Sequence, residues 1–216
     1  MSELDPLLNV ILVGVLLLNF LTLGTSRLGA AIRFAGMQGF LLGTALFVAH
    51  GQAGVRVALL AAATAALKGF AIPAILLRAM RNAAIRREIE PIVGFTASLI
   101  LGALATGLSL AFSRSLPLTD AHADALVVPA SFATVLTGFL VLTTRRKAIT
   151  QVVGYLTLEN GIFIFGLTLV EAMPFLVEIG VLLDLFVAVF VMGIIMDHIS
   201  REFSSLSTEH LTSLRE

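Results

Sequence analysis

The chain has 216 residues, of which 58% are hydrophobic and only 13% charged, whereas a soluble domain carries about 25% charged residues. Fourteen basic and fourteen acidic side chains give a formal net charge of zero, and the mean hydropathy is +1.01. This composition excludes a soluble globular enzyme, a disordered chain and a basic nucleic-acid-binding protein. The chain has no cysteine, so it cannot ligate an iron–sulfur cluster or form a disulfide. The sequence is typical of an integral membrane protein.

Apolar segments of membrane-spanning length recur along the whole chain. A helix needs about 20 mostly apolar residues to cross the hydrocarbon core of a bilayer, and the ten-residue alternation of a membrane β-barrel is absent. The sequence therefore predicts an all-α polytopic bundle of about seven transmembrane helices. In chain order these are Leu7–Leu23, Ala30–Ala49, Val57–Leu77, Ile92–Phe112, Ala125–Leu142, Val152–Val170 and Phe175–Ile195.

The short loops predict how the bundle is oriented. The first residues are acidic and lack the basic region of a cleaved signal peptide, so helix 1 is expected to be retained. Lysine and arginine collect in cytoplasmic loops, which places the N-terminus outside and the C-terminus in the cytoplasm. We expect a transmembrane domain over residues 1–198 and a cytoplasmic tail over 199–216. The basic loop residues behind this orientation are Arg78, Arg81, Arg86 and Arg87 after helix 3, and Arg145, Arg146 and Lys147 after helix 5.

Two parts of the chain align with each other at an offset of 118 residues. In this alignment, the segment that begins at Thr25 corresponds to the one that begins at Thr143. Further on, Gly36 is aligned with Gly154 and Gly43 with Gly161. This indicates a parallel repeat of helices 1–3 and 5–7, with helix 4 as connector. Chance matches between glycines of membrane helices are the alternative.

Three ionisable residues are predicted near the bilayer centre: Lys68 in helix 3, Glu159 in helix 6 and Asp184 in helix 7. Each costs about 2.5–3.5 kcal/mol to insert, so such residues face the bundle interior and often mark ion pathways. One hypothesis is a proton or cation relay. The other is a structural ion pair between Lys68 and either Glu159 or Asp184.

Further residues are candidates for supporting roles. Glu178 is a possible relay residue, although an acid in the first turn of helix 7 is also favoured by the helix dipole. Pro73 removes a backbone hydrogen bond and is expected to disturb helix 3 near Lys68. Asn160 and Tyr155 flank Glu159 at helical spacing. The first repeat is apolar at the position of Glu159, and only Gln38 lies nearby.

The segment from Arg145 to Gly161 resembles the small K subunit of respiratory complex I, with a basic pair followed by a helix that carries glycine, a membrane glutamate and asparagine. The whole chain resembles the hydrogenase-4 component E family still more closely, and residues of about 125–198 form its K-like part. The segments that carry this resemblance are 87–91, 158–165, 174–190 and 198–203.

The resemblance implies a membrane subunit of a complex I-like hydrogenase, of the formate hydrogenlyase type, in the inner membrane of a bacterium or archaeon. It implies antiporter-like partner subunits, with nickel–iron and iron–sulfur centres in other subunits and no redox cofactor or catalytic residue in this chain. The two membrane glutamates of the K-type subunit correspond to Glu159 and Glu178, and Asp184 competes for the second role. In the first repeat, the position of the family's membrane glutamate falls on Gln38, whose amide cannot bind and release a proton as a carboxylate does.

Three functions remain open from the sequence. The leading one is a subunit that relays protons or ions through its membrane charges and anchors antiporter-like neighbours. The second is a purely structural assembly subunit with a buried ion pair. The third is an independent secondary transporter, which is disfavoured because the closely connected helices leave few polar groups for a substrate site.

Overall fold

A computed structural model of the chain describes residues 4–50, 54–82, 92–116 and 126–167, and these ranges contain helices and no strand. Long runs of Leu, Val and Ala favour helices here, because a helix satisfies its backbone hydrogen bonds within the segment and lipid offers none. The helices are α1 (Leu4–Gly24), α2 (Leu28–His50), α3 (Val55–Ala66), a π-helical segment (Leu67–Ala71), α4 (Ile72–Asn82), α5 (Phe95–Ser115), α6 (Val127–Thr144) and α7 (Ala148–Gly166).

Five helical stretches of the described chain are long and apolar enough to cross a membrane, and they match the first five predicted segments. They are Pro6–Gly24, Leu28–Ala49, Val57–Arg78, Phe95–Ser115 and Val127–Thr144. The sixth prediction falls on α7, which begins at Ala148 and carries Gln151, Glu159 and Asn160. The seventh predicted helix and the tail lie outside the described residues. The chain is therefore a multi-pass membrane protein with an all-α fold.

Helix α2 lies at the centre of the described bundle. It packs against α1 on one side, against α3, the π segment and α4 on another, and against α7 on a third. Helix α5 packs on the outside, against α1 and α6. Because α2 contacts both halves of the chain, a side chain on its buried face is placed to connect them.

Glycines allow the closest helix contacts. A β-carbon added at Gly154 would lie 2.6 Å from the backbone nitrogen of Leu142, and one added at Gly161 would lie 2.5 Å from that of Val135. Both contacts join α7 to α6. On α2, a β-carbon at Gly43 would instead lie 2.7 Å from the carbonyl oxygen of Ala61 in α3.

The matched glycines of the predicted repeat therefore face different neighbours. Those of α7 face the helix before it, whereas Gly36 and Gly43 of α2 face the span after it. The connections are alike, since α1 joins α2 and α6 joins α7 through three residues each, 25–27 and 145–147. The parallel repeat stays a prediction.

One of the basic loop residues is a structural part of the bundle. Arg145 is 3% exposed, and its guanidinium donates to the carbonyl oxygens of Val93 (3.0 Å) and Leu23 (3.1 Å) and lies 4.9 Å from the centre of the Phe95 ring. Leu23 is in the last turn of α1, where carbonyls have no partner within the helix. Arg145 thus ties the end of α1 to the start of α5, while its neighbour Arg146 is exposed.

Candidate functional site

The structure pairs two of the three predicted central charges. Nζ of Lys68 lies 3.1 Å from Oε1 of Glu159, and the two side chains are 9% and 6% exposed. Lys68 belongs to the π segment in the middle of the span Val57–Arg78, and Glu159 lies on α7. An ammonium and a carboxylate at this distance form a charge-assisted hydrogen bond. Glu178 and Asp184 lie outside the described residues.

The local backbone brings Lys68 close to α2. The predicted disturbance of helix 3 takes the form of the π segment, after which Pro73 sits in the first turn of α4. π-Helical turns are rare and are frequent at functional sites. A β-carbon at Gly39 would lie 2.5 Å from Cβ of Lys68, and one at Gly36 would lie 2.7 Å from Cγ of Pro73. The two glycines give the irregular part of the span the space to pack against α2.

An aromatic ring completes the surroundings of the ammonium. Nζ of Lys68 lies 5.1 Å from the ring centre of Phe163, within the range of a cation–π interaction. Phe163 follows Glu159 by four residues on α7, so both side chains lie on the same face of the helix. α7 therefore presents a carboxylate and a ring to one lysine.

A chain of buried amides begins at the residue next to Glu159. Asn160 Nδ2 donates to Gln38 Oε1 (3.4 Å), Gln38 Nε2 donates to Asn19 Oδ1 (2.7 Å), and Asn19 Nδ2 donates to Thr134 Oγ1 (2.9 Å). None of the four is more than 2% exposed. The chain crosses from α7 through α2 and α1 to α6. Every bond has the same donor direction, an arrangement in which hydrogen bonds strengthen one another.

The ion pair and the amide chain form a polar layer between two apolar clusters. One cluster contains Leu12, Leu46 and Ile164, and the other contains Ile32, Leu76 and Val153. On α2 and on α7 the polar residues fall between the positions that belong to the two clusters. The layer is therefore enclosed by apolar side chains at both ends, which is the environment in which electrostatic interactions are strongest.

Tyr155 and Pro73 were predicted as supporting residues, and Thr64 was not. Tyr155 lies one turn before Glu159 on α7 and is partly buried, and Pro73 is buried against α2. Thr64, one turn before Lys68, is 2% exposed, and its hydroxyl has no hydrogen-bond partner among the described residues. No group of three or more His, Cys, Asp or Glu side chains in the described ranges could hold a metal ion.

Sequence reasoning missed four residues of this site: Asn19, Gly39, Thr134 and Phe163. Asn19 carried a usable signal, because an amide in the apolar run of helix 1 has to find a partner in the bundle. Phe163 could have been found from its spacing to Glu159. Gly39 and Thr134 resemble many other small residues of the chain, so only the packing identifies them.

Known proteins are similar in sequence to this chain, over nearly its whole length or over part of it. The uncharacterised protein Rv0085 of Mycobacterium tuberculosis is 34% identical over 209 residues, which cover 94% of this chain and 93% of that protein. Hydrogenase-4 component E of Escherichia coli and that of Shigella flexneri are each 35% identical over 80 residues, which cover 37% of this chain and 37% of the relative. No family model matches the chain, and no solved structure matches it.

These findings define the class of the protein and then its family. The fold is that of a multi-pass membrane protein with a buried charge pair in a polar layer. The chain belongs to the same family as Rv0085, since the two align over nearly their whole lengths. The similarity to hydrogenase-4 component E covers little more than a third of either chain.

Proposed function

We propose that the chain is a membrane subunit of a complex I-like hydrogenase and relays protons through Lys68 and Glu159. The single observation that supports the relay is the ion pair of 3.1 Å, which is buried in the helix bundle and has Lys68 in the middle of the apolar stretch Val57–Arg78. The local similarity to hydrogenase-4 component E supports the kind of complex. In this proposal, the nickel–iron and iron–sulfur centres belong to other subunits.

In the relay, Glu159 accepts and releases the mobile proton, and Lys68 responds to the change in charge. When Glu159 is ionised, the ammonium and the carboxylate neutralise each other. When a proton reaches Glu159, this attraction is lost, and the positive charge of Lys68 repels a further proton until Glu159 has released the first. Such a pair passes one proton at a time, because each state depends on the charge of its partner.

The amide chain is proposed to position the relay. Amides donate and accept hydrogen bonds but do not titrate in the range of a carboxyl group. The bonds from Asn160 through Gln38 to Asn19 hold α7 at a fixed rotation against α2, and this rotation keeps the carboxylate of Glu159 directed towards Lys68.

We place the N-terminus outside the inner membrane and propose antiporter-like subunits as neighbours.

A structural role is the second candidate, and the position of the pair favours it. Lys68 and Glu159 also join α7 to the π segment, so the pair could serve assembly alone. Replacing both members of a buried ion pair by apolar residues is often neutral or stabilising. On this hypothesis, the double variant Lys68→Met with Glu159→Leu assembles and supports normal proton translocation.

The experiment measures hydrogenase-linked proton uptake into inverted membrane vesicles that contain the whole complex. Glu159→Gln and Lys68→Met are compared with wild type, and co-purification with a tagged partner subunit confirms assembly. Arg78→Met is the control, since it removes an exposed basic residue from the same span. The relay predicts strongly reduced proton uptake in both test variants and normal uptake in the control. Normal uptake in fully assembled Glu159→Gln and Lys68→Met complexes would overturn it.

A further inference from the structure

We propose that Phe163 is a positioning residue of the relay that holds the Lys68 ammonium while Glu159 is protonated. This inference rests on the proposed function and adds to it a residue that does not itself exchange protons. The ring centre lies 5.1 Å from Nζ of Lys68, and Phe163 is 9% exposed. The ring is therefore buried in the helix bundle and lies within interaction range of a charge.

Proton uptake by Glu159 changes the charge state of the pair. In the ion pair, the carboxylate of Glu159 compensates the charge of Lys68. Once the carboxyl group is neutral, Glu159 no longer compensates the charge of the ammonium, and a buried charge is costly where its compensation is reduced. The negative face of an aromatic ring attracts a cation, and the attraction is larger when water is excluded.

The geometry allows one helix to provide both forms of support. Glu159 and Phe163 are four residues apart on α7, so both lie within interaction range of the Lys68 ammonium in the same arrangement of the helices. The packing of the Lys68 backbone against Gly39 of α2 also restricts how far the lysine can move away from α7. The ring thus keeps the ammonium close enough to pair with the carboxylate again when the proton leaves.

A ring in this place also packs as part of the apolar cluster that contains Leu12 and Ile164. The test has to separate the electrostatic effect of the ring from its volume. Successive fluorination of phenylalanine weakens the negative face of the ring while changing its size little. Mono-, di- and trifluorinated phenylalanine at position 163 therefore vary the cation–π attraction at nearly constant packing.

The experiment measures the rate of proton uptake per hydrogenase turnover in vesicles with the assembled complex. We expect a stepwise decline across the fluorinated series, a loss of roughly 3- to 30-fold in Phe163→Leu, and near-normal rates in Phe163→Tyr. Phe165→Leu is the control, because that ring lies on the same helix and packs 6.2 Å from Phe132 of α6. In a Lys68→Met background, fluorination should have no further effect.

The outcomes distinguish the two proposals. If Glu159→Gln lowers proton uptake but the fluorinated variants all pump like wild type, the role of Phe163 is overturned while the relay stands. If Glu159→Gln has no effect in the assembled complex, the relay itself fails. A decline with fluorination that persists in the Lys68→Met background would also contradict the inference, since no cation would then face the ring.

Discussion

Gly39 lies directly against the backbone of Lys68: a β-carbon at Gly39 would come within 2.5 Å of Cβ of the lysine and 2.7 Å of its carbonyl oxygen. The close approach of α2 to the π segment thus depends on the absence of a side chain at this position. It also fixes the position of the lysine backbone, from which the side chain extends towards α7. The position of the ion pair is therefore set by α2, which contributes no charge to it.

Substitution of Gly39 by alanine should displace the π segment. Because the added methyl group meets backbone atoms that cannot rotate away, we expect the free energy of unfolding to fall by about 1–3 kcal/mol. The measurement is thermal unfolding of the purified protein in detergent. Gly107→Ala is the matched control, since a β-carbon there meets no atom within 4 Å; it should be neutral or slightly stabilising. Equal unfolding temperatures for the two variants would contradict this packing.

Substitution of Gln38 by leucine should break the amide chain in the middle. Asn19 would lose the donor at 2.7 Å and Asn160 would lose its acceptor, so two buried polar groups would be left without these bonds. We expect a loss of about 1–3 kcal/mol in unfolding free energy. Met37→Leu, at a neighbouring position that is 54% exposed, is the control and should change little. An unfolding temperature of Gln38→Leu at or above that of the control would show that the chain contributes nothing to stability.

Substitution of Arg145 by lysine should destabilise the bundle although the charge is kept. Lysine lacks the planar group that reaches the carbonyls of Leu23 and Val93 together. The expected cost is about 1–3 kcal/mol in unfolding free energy, whereas Arg146→Lys at the exposed neighbouring position should stay within about 0.5 kcal/mol. Parallel thermal unfolding of the two variants tests this difference, and indistinguishable curves would count against a structural role for Arg145.

Hydropathy was sufficient to predict the membrane class and the first five spans, and the cost of buried charge indicated that Lys68 and Glu159 face the bundle. They could not choose the partner of Lys68, because Glu159 and Asp184 satisfy the same criteria and the choice depends on helix rotation. Nor could they predict that Arg145 is buried and Arg146 exposed, because both are arginines of the same basic loop. Contacts between helices depend on which small residues let backbones approach, and apolar periodicity does not reveal this.

The position of the π segment could also be predicted only in part from the sequence. Pro73 predicts a disturbance of the helix, and the structure has one over Leu67–Ala71. The sequence did not indicate that the irregular turn would contain Lys68 itself. Pro73 also packs against Gly36, a contact between two helices that the sequence of one helix does not reveal.

The central claim is that Glu159 carries protons and does more than neutralise Lys68. It is tested most directly by the number of protons translocated per hydrogen evolved in vesicles that contain the assembled Glu159→Gln complex. Glutamine keeps the size and hydrogen-bonding capacity of the side chain but cannot bind and release a proton at neutral pH. A proton relay through Glu159 predicts that hydrogen evolution continues while this ratio falls well below the wild-type value. A wild-type ratio in the assembled variant would contradict it.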